Sequence, residues 1–277
     1  DKSRLYIFFD RSQGVFATGD DDRFAPEGIL PVGSPYFPLV HNYRTTNEIA
    51  SFARNFRTGS NVLAAHSSRL GYLPEICTYE DRDDLQSKLE ILVSHLTKNE
   101  GVEASEMTVL SARRPDAPES TLFGVTEIAN LPVKLLNGRG KKKTVQGKSL
   151  AVSTIAGFKG LESSVGIILN LSEYKLPLDH PLMSSLLYVA LTRAKHMLYI
   201  FVQKDDPKLT VLRNALNKIN STGAFVVDVN DNSAELIGTV VHYNPKRLGF
   251  IKIQTESITR SNIMFFHSDI EAAGLDD

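Results

Sequence analysis

Short, unbroken apolar runs that stop abruptly at polar residues limit what this chain can become. Leu5–Phe9, Leu150–Val152, Val165–Leu169 and Met197–Val202 are such runs, and Met107–Leu110 is a brief β-prone run that includes Thr108. A strand covered on one face alternates apolar with polar residues, whereas an uninterrupted run suits a strand buried on both faces. Between these runs the apolar spacing turns helical. Leu85, Leu89, Leu92, Val93 and Leu96 follow Asp83 and Asp84, a charge pair suited to a helix N-terminus. Leu182, Leu186, Leu187 and Ala190 can share one helical face, and a further helix is expected from Pro207 to Asn220. Thr45 and Glu48 have capping-box spacing ahead of Ile49, Phe52, Ala53 and Phe56. Leu39–Val40, Glu75–Thr78 and Phe225–Val229 read as shorter strands. Strand and helix in alternation predict an α/β fold with a doubly wound parallel sheet. Ligands gather outside the carboxyl ends of such a sheet, so the polar residues after Val152 (Ser153, Thr154, Lys159, Gly160 and Glu162) are expected to form a site there.

With 277 residues and 42% hydrophobic content, the chain can bury one substantial core and a second small one. A formal net charge of −1 gives no global basic field, so any nucleic-acid contact must come from local patches. Cys77 is the single cysteine, which excludes an internal disulfide framework and suits a reducing compartment. No apolar run approaches the ~20 residues of a spanning helix. Cytoplasm and no membrane partner are the expectation. The chain opens at Asp1 and reads as a piece of a longer protein.

Two strings carry the chemistry. Ser153–Glu162 reads S-T-I-A-G-F-K-G-L-E, and Leu187–Lys195 reads L-Y-V-A-L-T-R-A-K. Glycine lets backbone approach a phosphate or ribose, glutamate can accept from a sugar hydroxyl, and arginine presents a forked cation suited to phosphate oxygens. The pair, in this order, resembles motifs V and VI of the superfamily 1 helicases of the UvrD/Rep/PcrA type. Asn42–Ile49, N-Y-R-T-T-N-E-I, resembles motif IV of the same family, and Asp10 with Gln13 after the Leu5–Phe9 run resembles motif III. The chain departs from the family at Phe9, where glycine is usual, at Ala156, where histidine is common, and at Met183, Ser184 and Ser185, where acidic residues are common.

The resemblance implies roles. Arg44, Arg193 and Gln13 would act on the terminal phosphate of ATP, and Gly160, Glu162, Lys159 and Asp10 would help bind the nucleotide. Thr154 would touch a nucleic-acid backbone. Read without the family, Arg44 equally suits a pair with a surface carboxylate, Thr154 a hydroxyl that closes a turn, and Asp10–Gln13 an ordinary polar turn. Asp20–Pro38 reads as a linker. Asn137–Gly138 suits a tight turn, and the basic run Arg139–Lys148 behind it is either a solvated hairpin tip or a phosphate contact. About a hundred residues separate Arg44 from Ser153, too few for the extra domain the family often inserts there.

After the turn-rich Asn230–Ser233, the segments Gly238–Pro245, Gly249–Ile251 and Met264–His267 resemble the opening strands of a cold-shock domain, an OB-type barrel that binds single strands. Tyr243, Phe250, Phe265 and His267 would then stack on bases, or else fill the module's own core. Leu248 and His242 stand where the family is usually aromatic.

The architecture expected is an α/β chain in three parts. Residues 1–24 end a first RecA-like domain, residues 25–229 form a second, RecA-like doubly wound parallel sheet, and residues 234–277 form a partial all-β OB/cold-shock-like module. The resemblance implies an ATP-dependent DNA helicase or translocase moving 3′ to 5′ on single-stranded DNA, with RNA as an alternative. ATP and Mg2+ would be held mainly by an upstream RecA-like ATPase domain. No G-x-x-x-x-G-K-[ST] string occurs, so this chain by itself is expected not to hydrolyse ATP. The competing classes are a non-catalytic nucleic-acid adaptor with a relic fold and an RNA-directed ATPase.

Overall fold

A computed structural model describes residues 42–57, 69–136 and 148–221, together with the backbone of three further strands. Up to Ser221 the described residues form a mixed α/β arrangement. Its helices are α1 (Asn47–Arg54), α2 (Arg82–Lys98), α3 (Pro181–Leu191) and α4 (Pro207–Ser221). Its strands are β1 (Glu75–Tyr79), β2 (Met107–Ser111), β3 (Glu127–Ile128), β4 (Leu131–Leu135), β5 (Leu150–Thr154), β6 (Ser163–Leu169) and β7 (Ala194–Gln203). They make one sheet in the order β1-β7-β6-β2-β5-β4-β3, parallel throughout except for β3 against β4.

The unbroken apolar runs do what their composition requires, because both faces of the sheet are covered. Along β7, Leu198, Ile200 and Val202 enter one core with Ile49 and Phe52 of α1, Met183 and Leu187 of α3, and Leu209 and Leu212 of α4. The alternate residues Met197, Tyr199 and Phe201 enter a second core with Leu85, Leu89, Val93 and Leu96 of α2. Asp81 caps α2, its side chain accepting from the backbone N–H of Asp84. At the carboxyl ends of β2 and β6, buried Asn170 donates to Ser111 Oγ at 2.9 Å and Ser120 Oγ at 3.1 Å, and so ties the loop after β2 to the sheet. No helix among the described residues is long and apolar enough to cross a membrane.

The structure differs from the sequence expectation in three places. Leu182 is 43% exposed, and α3 buries Met183, Ser184, Ser185, Leu187, Val189, Ala190 and Leu191 instead. His180 caps the helix and Pro181 starts it, so Leu182 falls on the outward side of the first turn. The N-cap position of α1 is Thr46 rather than Thr45, while Thr45 Oγ1 accepts from Asn42 Nδ2 at 2.7 Å. The β3–β4 hairpin was not expected. Pro132 and Lys134 disguise β4, and the turn lies at Ala129 and Asn130, both at positive φ (51° and 61°), as a two-residue type I′ connection demands.

Gly71 makes a close approach. Its N–H donates to Glu48 Oε2 at 2.8 Å, and a Cβ placed there would collide with Thr46 Cγ2 and lie 2.9 Å from Thr46 Cβ. Thr46 is fully buried, so it has little room to give. Gly71→Ala should therefore destabilise the fold by about 1–3 kcal/mol in a denaturant melt.

The last three strands, β8 (Gly238–Tyr243), β9 (Leu248–Ile253) and β10 (Ile263–Phe266), form an antiparallel sheet in the order β10-β9-β8. Tyr243, Gly249 and Phe265 stand in one row across it, with Phe250 in the next row beside His242 and Met264. His267 lies outside the described residues, as do the Leu5–Phe9 run with Asp10 and Gln13, the segment Asp20–Pro38 expected as a linker, Leu39–Val40, residues 137–147 of the basic stretch, and Phe225–Val229.

Candidate functional site

The chain between β5 and β6 explains where the polar residues go. Thr154 pairs in register with Ser111, and Ser111 pairs with Leu169, so the end of β5 is level with the end of β6. Glu162 stands before the first residue of β6, a strand of seven residues. At roughly 3.3 Å per residue, Thr154 and Glu162 therefore belong to opposite edges of the sheet, about 20 Å apart along the strand direction. The segment returns across one face with Ile155 (1% exposed) and Phe158 (3%) sunk in the core. One site at the carboxyl ends of the strands was the expectation. The structure instead has Thr154 at that edge and Glu162 at the amino edge.

At the amino edge, three separated segments meet. Glu162 Oε2 lies 3.2 Å from Arg44 Nε, and Glu162 Oε1 lies 2.7 Å from Lys195 Nζ. The Arg44 loop is set by Asn42, whose Oδ1 accepts from the backbone N–H of Arg44 at 2.9 Å and of Thr45 at 3.3 Å. It is fastened to β7 by the Thr46 N–H, which donates to the Lys195 carbonyl at 3.1 Å. The Lys195 hydrogen bond holds the Glu162 carboxyl below the usual carboxylate range against a desolvation cost, with further help from the charges of Lys195, Arg44 and Arg193. Burial pushes the neighbouring His196 imidazole down to about 4, and Arg69 and Lys195 add to the effect. It is thus neutral near pH 7. Arg44, Lys195 and Arg193 against Glu162 leave the edge cationic.

Arg193 is placed differently from Arg44. It is 1% exposed, and its guanidinium donates to the carbonyls of Val189 at 3.1 Å and Leu161 at 3.3 Å and to Thr192 Oγ1 at 3.2 Å. Val189 lies in the last turn of α3, so the side chain doubles as a cationic cap on that helix end while gripping the residue before Glu162. Its own carbonyl accepts from Ser163 N–H at 3.0 Å. Of the two arginines Arg44 is the accessible one, with a side chain 45% exposed.

Gly160 adopts φ +90°, and a Cβ there would meet nothing within 4 Å, so the loop beside Glu162 is open and has a backbone shape that glycine accepts best. Lys159 is exposed on the same loop. At the other edge, Thr154 Oγ1 accepts from Gly157 N–H at 2.9 Å, the turn-closing role that its residue type suggests. Two features of the amino edge escape a reading of the motif strings: Lys195, and Tyr43, which is 74% exposed beside Arg44. Lys195 ends the same string as Arg193, but Arg193 lies in the turn before β7, so strand alternation does not relate the two. Among the described residues no group of three or more His, Cys, Asp or Glu side chains is arranged to hold a metal ion. The donors at the amino edge suit an anion.

Comparison with known proteins adds little. No protein-family profile and no curated protein matches the chain. One solved structure with some likeness is the C-terminal domain of a possible DNA helicase from Lactobacillus plantarum WCFS1, at 18% identity, covering 63% of this chain and 96% of that one, with a TM-score of 0.46. At that score the likeness carries no argument about this chain.

Proposed function

We propose that this chain is the C-terminal, RecA-like part of an ATP-dependent superfamily 1 DNA helicase or translocase. In this reading Arg44 is offered to the terminal phosphate of an ATP held, with its Mg2+, by an upstream RecA-like domain. Glu162, Gly160 and Lys159 line the nucleotide side, and single-stranded DNA runs past the opposite edge near Thr154. The observation that supports it best is that residues from the motif IV-like, V-like and VI-like strings, far apart in sequence, meet at one cationic edge. Arg193 serves first as a brace for the Glu162 loop. Its charge reaches a phosphate only if its bonds to Leu161 and Val189 are released as the two lobes close. Asp10 and Gln13 enter the reading as a second nucleotide contact, and the row that holds Tyr243 and Phe265 as a single-strand platform; Phe250, in the adjacent row, belongs to the other face of that sheet.

The test is ATP turnover with and without oligo-dT. The 277-residue chain alone should show none, and the same chain joined to an upstream lobe that supplies a phosphate-binding loop should show DNA-stimulated turnover. DNA binding without turnover in the joined protein would favour an adaptor. Stimulation by RNA but not by DNA would favour an RNA-directed ATPase.

A further inference from the structure

The Glu162 carboxylate is shared between two cations. Lys195 Nζ takes Oε1 at 2.7 Å and Arg44 Nε takes Oε2 at 3.2 Å. Lys195 also holds the start of α1 by its backbone, through its carbonyl and the Thr46 N–H. One residue therefore fixes the distance between the loop bearing Arg44 and the loop bearing Glu162. Among the described residues Arg44 makes this one ion pair, through Nε. A guanidinium has five donors in a planar fork, and its strongest partnership with a carboxylate is the two-toothed one.

We propose that Lys195 is a positioning residue that draws the Glu162 carboxylate aside, so that the forked terminal nitrogens of Arg44 remain available to a phosphate anion. The inference rests on the phosphate-binding reading of this edge. Without Lys195, both carboxylate oxygens would turn to Arg44 and close the fork, and an incoming phosphate would have to displace an internal competitor at high effective concentration. Lys suits the role better than a second fork would, because a compact ammonium holds one oxygen and leaves the other in place.

The experiment titrates tripolyphosphate into the 277-residue chain and its variants by calorimetry. K195M should weaken binding by a factor at least about fivefold larger when Glu162 is present than in an E162Q background, since only a carboxylate can capture Arg44. K195R, which keeps a cation on the carboxylate but takes both oxygens, should recover only part of the loss. An equal loss in both backgrounds means that Lys195 acts merely as one more positive charge, and overturns the proposal. K195Q replaces K195M should the latter fail to melt cooperatively. If the wild-type chain takes up no tripolyphosphate, the phosphate reading of the edge fails on its own account. Lys195 is then judged by NMR of the Arg44 guanidinium. K195M should slow proton exchange at its terminal nitrogens and shift their resonances, and an unchanged guanidinium spectrum overturns the proposal.

Discussion

Arg44→Ala, in the chain joined to an ATP-holding upstream lobe, should lower kcat for DNA-stimulated ATP hydrolysis by about 10³. The size follows from what the residue does at rest and in the reaction. At rest its side chain is 45% exposed and paired with a carboxylate that is 42% exposed. Such pairs contribute roughly 0–1 kcal/mol to stability, so thermal melting should hardly move. During transfer a guanidinium aimed at developing phosphoryl charge acts in a site cleared of water, where charge is screened far less. Arg44→Lys should recover only part of the rate because the fork is lost. A drop of less than about tenfold, with the fold intact, would remove Arg44 from the reaction and take the motor reading with it.

Arg193→Ala should behave in the opposite way and unfold the protein early. The substitution removes three hydrogen bonds from a guanidinium that is 1% exposed; Thr192 and Val189 keep the bond between the Thr192 hydroxyl and the Val189 carbonyl, and the Leu161 carbonyl loses this donor. It also leaves a cavity beneath the Glu162 loop. A hydrogen bond from a charged donor contributes about 1.5–3 kcal/mol, and deleting a large buried side chain adds a cavity cost, so a loss of about 3 kcal/mol is expected in a urea melt. For a unit of roughly 150–250 residues this corresponds to a fall in Tm of roughly 6–12 °C. A variant as stable as the wild type would show that the burial of this guanidinium does not hold in solution. Any rate defect of Arg193→Ala must therefore be compared at equal folded fraction before it is assigned to phosphate contact.

The strands were readable where burial on both faces left a mainly apolar run. β2, β5, β6 and β7 match their apolar runs to within a few residues, and α2 matches its helical spacing. β4 escaped because Pro132 and Lys134 break its pattern, and an edge hairpin tolerates both. The site was half legible. The residue types at Arg44, Glu162 and Arg193 announced anion chemistry, but their sequence position misled as to the edge. Glu162 follows Thr154 by eight places and looks like the tail of β5, whereas the chain has crossed the sheet by then and Glu162 stands immediately before β6. Nothing in the residue types distinguishes the exposed Arg44 from the sealed Arg193. That difference arises from packing of the α3 terminus against the Leu161 loop, a long-range contact that the motif strings do not encode.

The strap from Ile155 to Glu162 has a mechanical meaning. Ile155 and Phe158 pin it in a close-packed interior, and interiors of that density resist stretching and transmit displacement. It therefore ties the Thr154 turn at one end to the Glu162 carboxylate at the other, held fast as far as Phe158 and open from Lys159 to Glu162. A pull on Glu162 is taken up first by the open turn around Gly160 and stops at Phe158, where the packed interior begins.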